Sequence, residues 1–175
     1  TIWISELWIQ SILRVTIVLP HKLNIVNSNF KWRLWLPLLQ YAFKEVYRLK
    51  EKLDRSEFND IFHKDLEFGT GGMRGIMGIG PNRINKYSLG KTTQGICNFI
   101  NDLKIKEPKV IIGYDSRKNG KYLCDVVSDI FNANNIITFV FDEIKPTPIV
   151  SFGVRNLSCI CGIVITASHN PPEYN

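Results

Sequence analysis

The polar loop at residues 166–172, with the sequence TASHNPP, contains the side chains best suited to chemistry. It places the hydroxyl of Ser168 beside the imidazole of His169, directly after an apolar run. Two prolines follow and restrict the backbone, which would hold the hydroxyl in one place. A fixed serine can act as a nucleophile. An ordinary turn, in which the Asn170 side chain bonds to the backbone, is the alternative that local chemistry leaves open.

Residues 65–80, with the sequence DLEFGTGGMRGIMGIG, contain six of the 12 glycines of the chain. Glycine accepts positive φ angles and lets a backbone come close to a ligand. With one hydroxyl, Thr70, and one guanidinium, Arg74, this glycine segment has a composition suited to gripping phosphate oxygens. A tight hairpin between two strands is the alternative interpretation of the same residues.

A second polar cluster, Asp115-Ser116-Arg117, follows the apolar run at residues 109–114. A charge-assisted pair with Asp115 can fix the guanidinium of Arg117. We expect Arg117 to support the serine loop from a neighbouring strand end. A solvated turn is the alternative for both charged residues.

The elements that must position these clusters are visible as apolar patterns. Three runs without strict polar alternation predict strands, at residues 109–114, 136–141 and 158–166. Helices of ten or more residues separate them, which predicts an α/β fold: a three-layer domain with a mostly parallel sheet flanked by helices. Such sheets bind ligands at the carboxyl ends of their strands, where both polar clusters fall.

Helix boundaries follow from capping residues. Ser88 is the predicted N-cap of the helix that precedes the first strand, and Pro146-Thr147-Pro148 opens the helix that precedes the third. From residue 38 the apolar spacing predicts an amphipathic helix, and a short helix capped by Asp54 or Ser56 follows it.

Residues 1–37 differ from the rest, because they contain all four tryptophans and begin with Thr1, which suggests an incomplete or processed beginning. Their apolar stretch carries charges and lacks the flanks of a signal peptide, so neither a membrane span nor a signal peptide is expected. We therefore divide the chain into an atypical Trp-rich segment, residues 1–37, and one domain, residues 38–175.

Composition limits the function classes. The net charge of +6 and the pI near 9.2 come from basic residues spread through the chain, with no basic and aromatic stripe, so we expect no nucleic-acid partner. The four cysteines lie in apolar runs without zinc-ligand spacing. They are expected to be buried thiols of a cytoplasmic protein.

The serine loop, residues 166–171, resembles the phosphoserine signature of the α-D-phosphohexomutase superfamily, which includes phosphoglucomutases, phosphomannomutases and phosphopentomutases. Residues 68–75, FGTGGMRG, resemble the amino-terminal loop of the same superfamily. Residues 82–85 and Gln94-Gly95 are similar to its phosphoglucomutase and phosphopentomutase branch. The resemblance covers residues 64–175 and implies the fold of phosphohexomutase domain 1.

The resemblance also implies an activity. Such an isomerase is an intramolecular phosphotransferase, in which a phosphoserine gives its phosphoryl group to a sugar monophosphate and recovers one from the other end of the bisphosphate intermediate. Residue roles are carried over as follows: Ser168, His169 and Arg74 as catalytic, the same three with Thr70 as substrate-binding, and Asp115, Arg117 and Asn170 as supporting. For His169, a structural hydrogen bond to backbone is the alternative to an active-site role.

The implied cofactor is Mg²⁺, bound through the phosphate on Ser168, with its remaining ligands in a domain absent from this chain. The implied activator is a sugar bisphosphate, and the implied partner is a phosphorylated sugar, with glucose 1- or 6-phosphate favoured and no membrane partner. Family members have four domains. We interpret the chain as the first of them, cut soon after its nucleophile, and expect it to isomerise little or nothing alone.

Two other function classes stay open. A stand-alone phosphate-binding or nucleotide-binding module is one, although neither a P-loop motif nor a Rossmann glycine motif after a strand is present. A non-catalytic interaction domain that uses the Trp-rich beginning is the other.

Overall fold

The computed structural model describes residues 44, 46–69 and 71–175. The Trp-rich segment and Thr70 lie outside the described residues. Residue 44 and residues 46–52 are helical, and they are the described part of the amphipathic helix predicted from residue 38. The remaining elements are α1 (Arg55–Phe62), β1 (Phe68–Gly69), β2 (Gly72–Met73), α2 (Lys86–Asp102), β3 (Lys109–Tyr114), α3 (Gly120–Ala133), β4 (Ile137–Val140), α4 (Thr147–Asn156) and β5 (Cys161–Ile165).

Three parallel strands form a sheet in the order β4-β3-β5, which confirms the predicted parallel arrangement. The central strand, β3, is buried along its whole length except at its first residue, as its apolar sequence requires. Its last residue, Tyr114, is in register with Ile165, the last residue of β5. The carboxyl ends of these two strands therefore lie side by side.

Helices pack on both faces of the sheet. Val110, Ile112 and Tyr114 of β3 join a core cluster with residues of α2 and α3, among them Phe131, which is fully buried. Burial of one such side chain contributes about 2 kcal/mol. The alternate residues of β3 face α4, because a Cβ on Gly113 would lie 2.6 Å from Cγ2 of Val150. The predicted three-layer architecture is confirmed.

Contacts divide the chain into two units, Thr1–Asp60 and Ile61–Asn175, and the second contains the whole sheet. Within the first, Asp54 caps α1: its Oδ1 accepts a 2.8 Å hydrogen bond from the backbone N–H of Glu57. Of the two caps predicted for this helix, Asp54 is the one used. Among the described residues, no helix is long and apolar enough to cross a membrane.

The prediction that Ser88 caps α2 was wrong. The N-cap is Asn85, whose Oδ1 accepts hydrogen bonds from the N–H groups of Tyr87 and Ser88 at 2.9 and 3.0 Å. Ser88 occupies the third helical position, and its Oγ accepts a 3.0 Å hydrogen bond from the N–H of Asn85. The two side chains form a reciprocal capping box, so the helix begins one turn earlier than its apolar periodicity indicates.

Candidate functional site

The strand register brings the two predicted polar clusters together. The backbone N–H of Asp115 donates a 3.2 Å hydrogen bond to the carbonyl of Ile165, which extends the parallel pairing by one residue beyond β3. Beyond that point Asp115 faces Thr166, whose hydroxyl donates a hydrogen bond to Asp115 Oδ2. The cluster at residues 115–117 and the serine loop thus form one surface at the end of the sheet.

Arg117 connects the two clusters through its guanidinium. Its Nη2 donates hydrogen bonds to the carbonyls of Ser168 and Asn170 at 2.8 and 2.7 Å. Its Nη1 donates to the carbonyls of Pro171 and Tyr174 at 2.8 and 3.0 Å. The side chain is only 12% exposed, and its Nε lies 3.5 Å from Asp115 Oδ2. The guanidinium is therefore occupied by loop carbonyls and is not free to bind a phosphate group.

Ser168 has an uncommon backbone conformation for a residue with a side chain. Its φ angle is +54°, in the left-handed region. Holding such a conformation costs about 1–3 kcal/mol, and residues of this kind cluster at active sites. The residue is exposed, and its Oγ lies 3.3 Å from Nδ1 of His169. The hydroxyl is thus presented to solvent beside an exposed imidazole.

Asn170 acts in the turn through its backbone. Its N–H donates a 3.0 Å hydrogen bond to the carbonyl of Ala167, while its own carbonyl is held by Arg117. Its side-chain Oδ1 is buried and accepts no hydrogen bond from the described residues. The Asx-turn that the sequence left open as an alternative is therefore absent, and a backbone turn stands in its place.

The glycine segment lies against the chain that follows the serine loop. The backbones of Gly75 and Asn175 exchange two hydrogen bonds of 3.0 Å, and the N–H of Met77 donates to the carbonyl of Glu173 at 2.7 Å. These antiparallel contacts connect residues 75–77 to residues 173–175. Two segments that are about 100 residues apart along the chain therefore meet beside the serine loop.

Part of the glycine segment is also a hairpin, since β1 and β2 pair antiparallel. The hairpin that the sequence left open as the alternative is therefore present in this segment. Arg74 follows β2 and is exposed, with Nη2 so near the hairpin that a Cβ on Gly71 would lie 3.4 Å from it. Among the described residues, Arg74 makes no hydrogen bond or ion pair with Ser168 or His169.

The structure brings together five of the seven predicted site residues: Asp115, Arg117, Ser168, His169 and Asn170. Arg74 lies next to the strand-like contact that joins the glycine segment to this group, and Thr70 is not described. Thr166, which contacts both Asp115 and Ser168, was not predicted from the sequence. The available signal was its place directly after an apolar strand and two residues before the serine, which is the spacing of a Ser/Thr turn.

Asn85 is a second residue that was not predicted from the sequence. Besides capping α2, its Nδ2 donates hydrogen bonds to the carbonyls of Gly78, Gly80 and Arg83 at 2.9, 2.9 and 3.2 Å. One amide side chain therefore fixes the end of the glycine segment to the start of a helix. An asparagine directly before a helical pattern is the signal that could have indicated this role.

Two other features do not add to the site. In the described part of the chain, no group of three or more His, Cys, Asp or Glu side chains could hold a metal ion. A groove of about 450 Å³ lies along α2, but its walls are mostly apolar and include neither Ser168 nor Arg117. The groove is therefore separate from the serine loop.

With this geometry established, similarity to known proteins identifies the family. The sequence profile described as "Phosphoglucomutase/phosphomannomutase, alpha/beta/alpha domain I" matches residues 65–175. The chain belongs to this family. The matched range contains the glycine segment, the cluster at residues 115–117 and the serine loop. The predicted membership of the phosphohexomutase superfamily is confirmed.

Curated relatives of this phosphoglucomutase/phosphomannomutase domain I are similar over most of the chain. A phosphoglucomutase from Staphylococcus haemolyticus (strain JCSC1435) is 40% identical over 114 residues, which cover 65% of this chain and 21% of that protein. A phosphoglucomutase from Staphylococcus aureus (strain MRSA252) is 36% identical over 132 residues, covering 75% and 23%.

A solved structure is also similar to this phosphoglucomutase/phosphomannomutase domain I. It is that of a Thermus thermophilus protein described as a phosphomannomutase, with a TM-score of 0.58 and 26% identity. The similarity covers 63% of this chain and 24% of that one. The chain spans between about a fifth and a quarter of the length of these relatives.

Proposed function

We propose that this domain carries the phosphoserine of a phosphosugar mutase and that the phosphoryl group is bonded to Oγ of Ser168. The observation that carries the proposal is the presentation of this hydroxyl. It is exposed, its backbone has a φ of +54°, and Arg117 holds the carbonyls of the loop around it. Phosphoryl transfer depends mainly on positioning and charge stabilisation, and a rigidly held oxygen meets the first requirement.

In the proposed reaction, a hydroxyl oxygen of a sugar monophosphate attacks the phosphorus on Ser168. A new bond forms between phosphorus and the sugar oxygen, the bond between phosphorus and Oγ breaks, and the sugar hydroxyl loses its proton. The Oγ ends as a hydroxyl, and the product is a sugar bisphosphate. The Oγ then loses its proton and attacks the phosphorus at the other end of the bisphosphate. A bond forms between this phosphorus and Oγ, the bond between the phosphorus and the sugar oxygen breaks, and the departing sugar oxygen gains a proton. The net change moves a phosphoryl group between the 1 and the 6 (or 5) position.

His169 is the proposed carrier of the proton at Oγ. Oγ lies 3.3 Å from Nδ1, a separation that must shorten slightly in the substrate complex for direct proton transfer, and both groups are exposed. A His169→Asn variant keeps a hydrogen-bonding atom near the position of Nδ1 but cannot take up the proton. We expect it to lose about 10²-fold in turnover.

Arg74 and Thr70 are the proposed phosphate-binding side chains. The exposed guanidinium of Arg74 is next to Gly75, whose backbone is held by Asn175 beyond the serine loop. Arg117 is engaged with carbonyls, so Arg74 is the arginine of the site that remains available to the equatorial phosphate oxygens. A guanidinium there would stabilise charge that develops during transfer.

Mg²⁺ and an activating sugar bisphosphate are also part of the proposal. Mg²⁺ prefers hard oxygen ligands and, when bound, would neutralise charge on the transferred phosphoryl group. A phosphate on Ser168 would offer one such oxygen, but the described residues supply no carboxylate cluster beside it. We therefore assign the remaining ligands to parts of the family architecture outside residues 65–175.

The extent of the chain shapes the rest of the proposal. Because it spans between about a fifth and a quarter of its relatives, we propose that it works as the first domain of a longer mutase and isomerises little alone. Residues 38–64 are proposed to be helices of the same domain. The four free thiols favour a cytoplasmic location. Glucose phosphates are the proposed substrates, because the relatives cited above are named phosphoglucomutases.

The test is turnover in the full natural polypeptide that carries this sequence. The polypeptide is incubated with glucose 1-phosphate, Mg²⁺ and a catalytic amount of glucose 1,6-bisphosphate, and ³¹P NMR follows the appearance of glucose 6-phosphate. Mannose 1-phosphate and ribose 1-phosphate are assayed in parallel. We expect conversion that is fastest with glucose 1-phosphate and absent in Ser168→Ala. Conversion that survives in Ser168→Ala contradicts the proposed nucleophile, and no conversion of any sugar phosphate contradicts the proposed function.

A further inference from the structure

The hydroxyl of Thr166 connects the carboxylate of Asp115 to the backbone of Ser168, the proposed nucleophile. The Thr166 hydroxyl donates a hydrogen bond to Asp115 Oδ2 and accepts a 2.9 Å hydrogen bond from the backbone N–H of Ser168. A hydroxyl has one proton to give, and here that proton goes to the carboxylate. Its oxygen lone pairs are then directed to the serine N–H.

Asp115 also orients the group that holds the other side of Ser168. Its Oδ2 lies 3.5 Å from Nε of Arg117, and Nη2 of Arg117 donates to the carbonyl of Ser168 at 2.8 Å. The N–H and the C=O of one residue are thus held by two side chains that share a single carboxylate. The hydrogen bonds and the ion pair form a closed ring through Asp115, Thr166, Ser168 and Arg117.

We infer that Thr166 is a positioning residue for phosphoryl transfer, and that its hydroxyl helps to hold Ser168 in the left-handed conformation. This inference rests on the proposed function of Ser168. The φ of +54° is unfavourable for serine, so contacts on both sides of the residue must maintain it. Rotation of this backbone would move Oγ out of line with an incoming phosphorus, and misplacement by about 1 Å can cost about 10²-fold in rate.

Two substitutions of Thr166 distinguish the effect of its hydroxyl from the effect of its side-chain shape. Thr166→Val keeps the branched shape and removes the hydrogen bonds, which leaves Asp115 Oδ2 without this donor and the Ser168 N–H without its acceptor. Thr166→Ser keeps the hydroxyl and removes only a methyl group. If the hydroxyl positions the nucleophile, the valine variant fails and the serine variant restores function.

The experiment uses the full natural polypeptide and two readouts. The first is the rate at which phosphate from glucose 1,6-bisphosphate appears on Ser168, measured by quenched-flow mass spectrometry together with the affinity for the bisphosphate. We expect Thr166→Val to slow the rate at least tenfold with affinity changed less than about twofold, and Thr166→Ser to remain within about threefold of wild type. Equal rates in all three proteins, or equal losses in both variants, overturn the inference.

The second readout is hydrogen exchange of the Ser168 amide, which needs no phosphorylation. In the wild-type protein this amide should exchange more slowly than the amide of His169, which donates no hydrogen bond within the described residues, and the protection should be lost in Thr166→Val while that of strand β5 is kept. A wild-type Ser168 amide that exchanges at the rate of an open loop overturns the inference even if a variant does not fold. Absent phosphorylation of the wild type would instead contradict the proposed function.

Discussion

Arg117 donates a 2.8 Å hydrogen bond from Nη2 to the backbone carbonyl of Ser168, so the guanidinium holds the main chain of the proposed nucleophile. The same side chain holds three more carbonyls that follow the serine. Arg117 therefore helps to fix the shape of the loop, and Asp115 partly neutralises its charge. Both the stability of the loop and the reactivity of Ser168 should therefore depend on Arg117.

Replacement of Arg117 by lysine should show this dependence. Lysine keeps the positive charge but has one nitrogen in place of the two that serve four carbonyls. Because the side chain is nearly buried, we expect a loss of about 3 kcal/mol in the free energy of unfolding. Urea denaturation measures the loss. Lys118→Ala, which alters an exposed neighbour, is the control and should change stability by less than about 0.5 kcal/mol. A lysine variant as stable as wild type would show that the four hydrogen bonds are dispensable.

The left-handed conformation of Ser168 predicts that two variants without the hydroxyl differ in stability although both are inactive. Glycine adopts this conformation without steric cost, so Ser168→Gly should be about 1 kcal/mol more stable than Ser168→Ala. Thermal unfolding of the two variants measures the difference. Both variants lack the hydroxyl and should take up no phosphate. If alanine is as well tolerated as glycine, the backbone at residue 168 is not under strain in solution.

Asn85 provides a test of the connection between the glycine segment and α2. Asn85→Ala removes the cap, the two hydrogen bonds to glycine-segment carbonyls and the one to the carbonyl of Arg83, and we expect it to lower the free energy of unfolding by about 2 kcal/mol. Asn85→Asp keeps the acceptor for the cap but removes the Nδ2 donor, so its stability should lie between those of wild type and alanine. Urea denaturation of the three proteins gives the order. Equal stability of the aspartate and wild-type proteins would show that the Nδ2 hydrogen bonds contribute nothing to the free energy of unfolding.

The buried thiols predict a pH dependence. Burial raises the pKa of Cys97 and of Cys124 to about 11 from an ordinary value of 9.0. The folded protein thus binds more protons than the unfolded chain between these values, so stability from these thiols is complete below pH 9 and falls as the pH rises toward 11. Unfolding free energies at pH 8 and pH 10 measure the loss. Cys97→Ala/Cys124→Ala, compared with itself at both pH values, should lose less.

The same burial predicts the order of alkylation. The thiolate is the reactive species, and both Cys97 and Cys124 are fully buried, whereas Cys159 is partly exposed. Iodoacetamide at pH 8 should therefore label Cys159 well before the two buried thiols, as peptide mass spectrometry can determine. Labelling of all three at one rate in the folded protein would contradict their placement in the core.

The sequence predicted the three strands and their parallel direction because apolar runs of this kind, separated by helices, have few other solutions. It also placed Ser168 and Arg117 at strand ends. It could not predict that β3 lies between β4 and β5, since this order depends on contacts between distant segments. Without the strand order, the contact between Asp115 and Thr166 could not be predicted.

Other parts of the site depend on details that patterns do not contain. The contact of Gly75 with Asn175 joins segments about 100 residues apart. It involves only backbone atoms, so the side-chain types in the sequence give no signal for it. The cap of α2 was misplaced because Asn85 and Ser88 are both good capping residues, and the apolar periodicity begins only after them. The spacing of Thr166 from Ser168 indicated a Ser/Thr turn, but its second contact, with Asp115, depends on the strand order.

The most direct test is phosphopeptide mapping of the full natural polypeptide after incubation with ³²P-labelled glucose 1,6-bisphosphate and Mg²⁺. We predict one labelled tryptic or chymotryptic peptide that contains residues 166–172, phosphorylated on Ser168, and no label in Ser168→Ala under the same conditions. Label on any other residue, or an unlabelled wild-type protein that is folded and binds the bisphosphate, would contradict the assignment of Ser168 as the phosphoryl carrier.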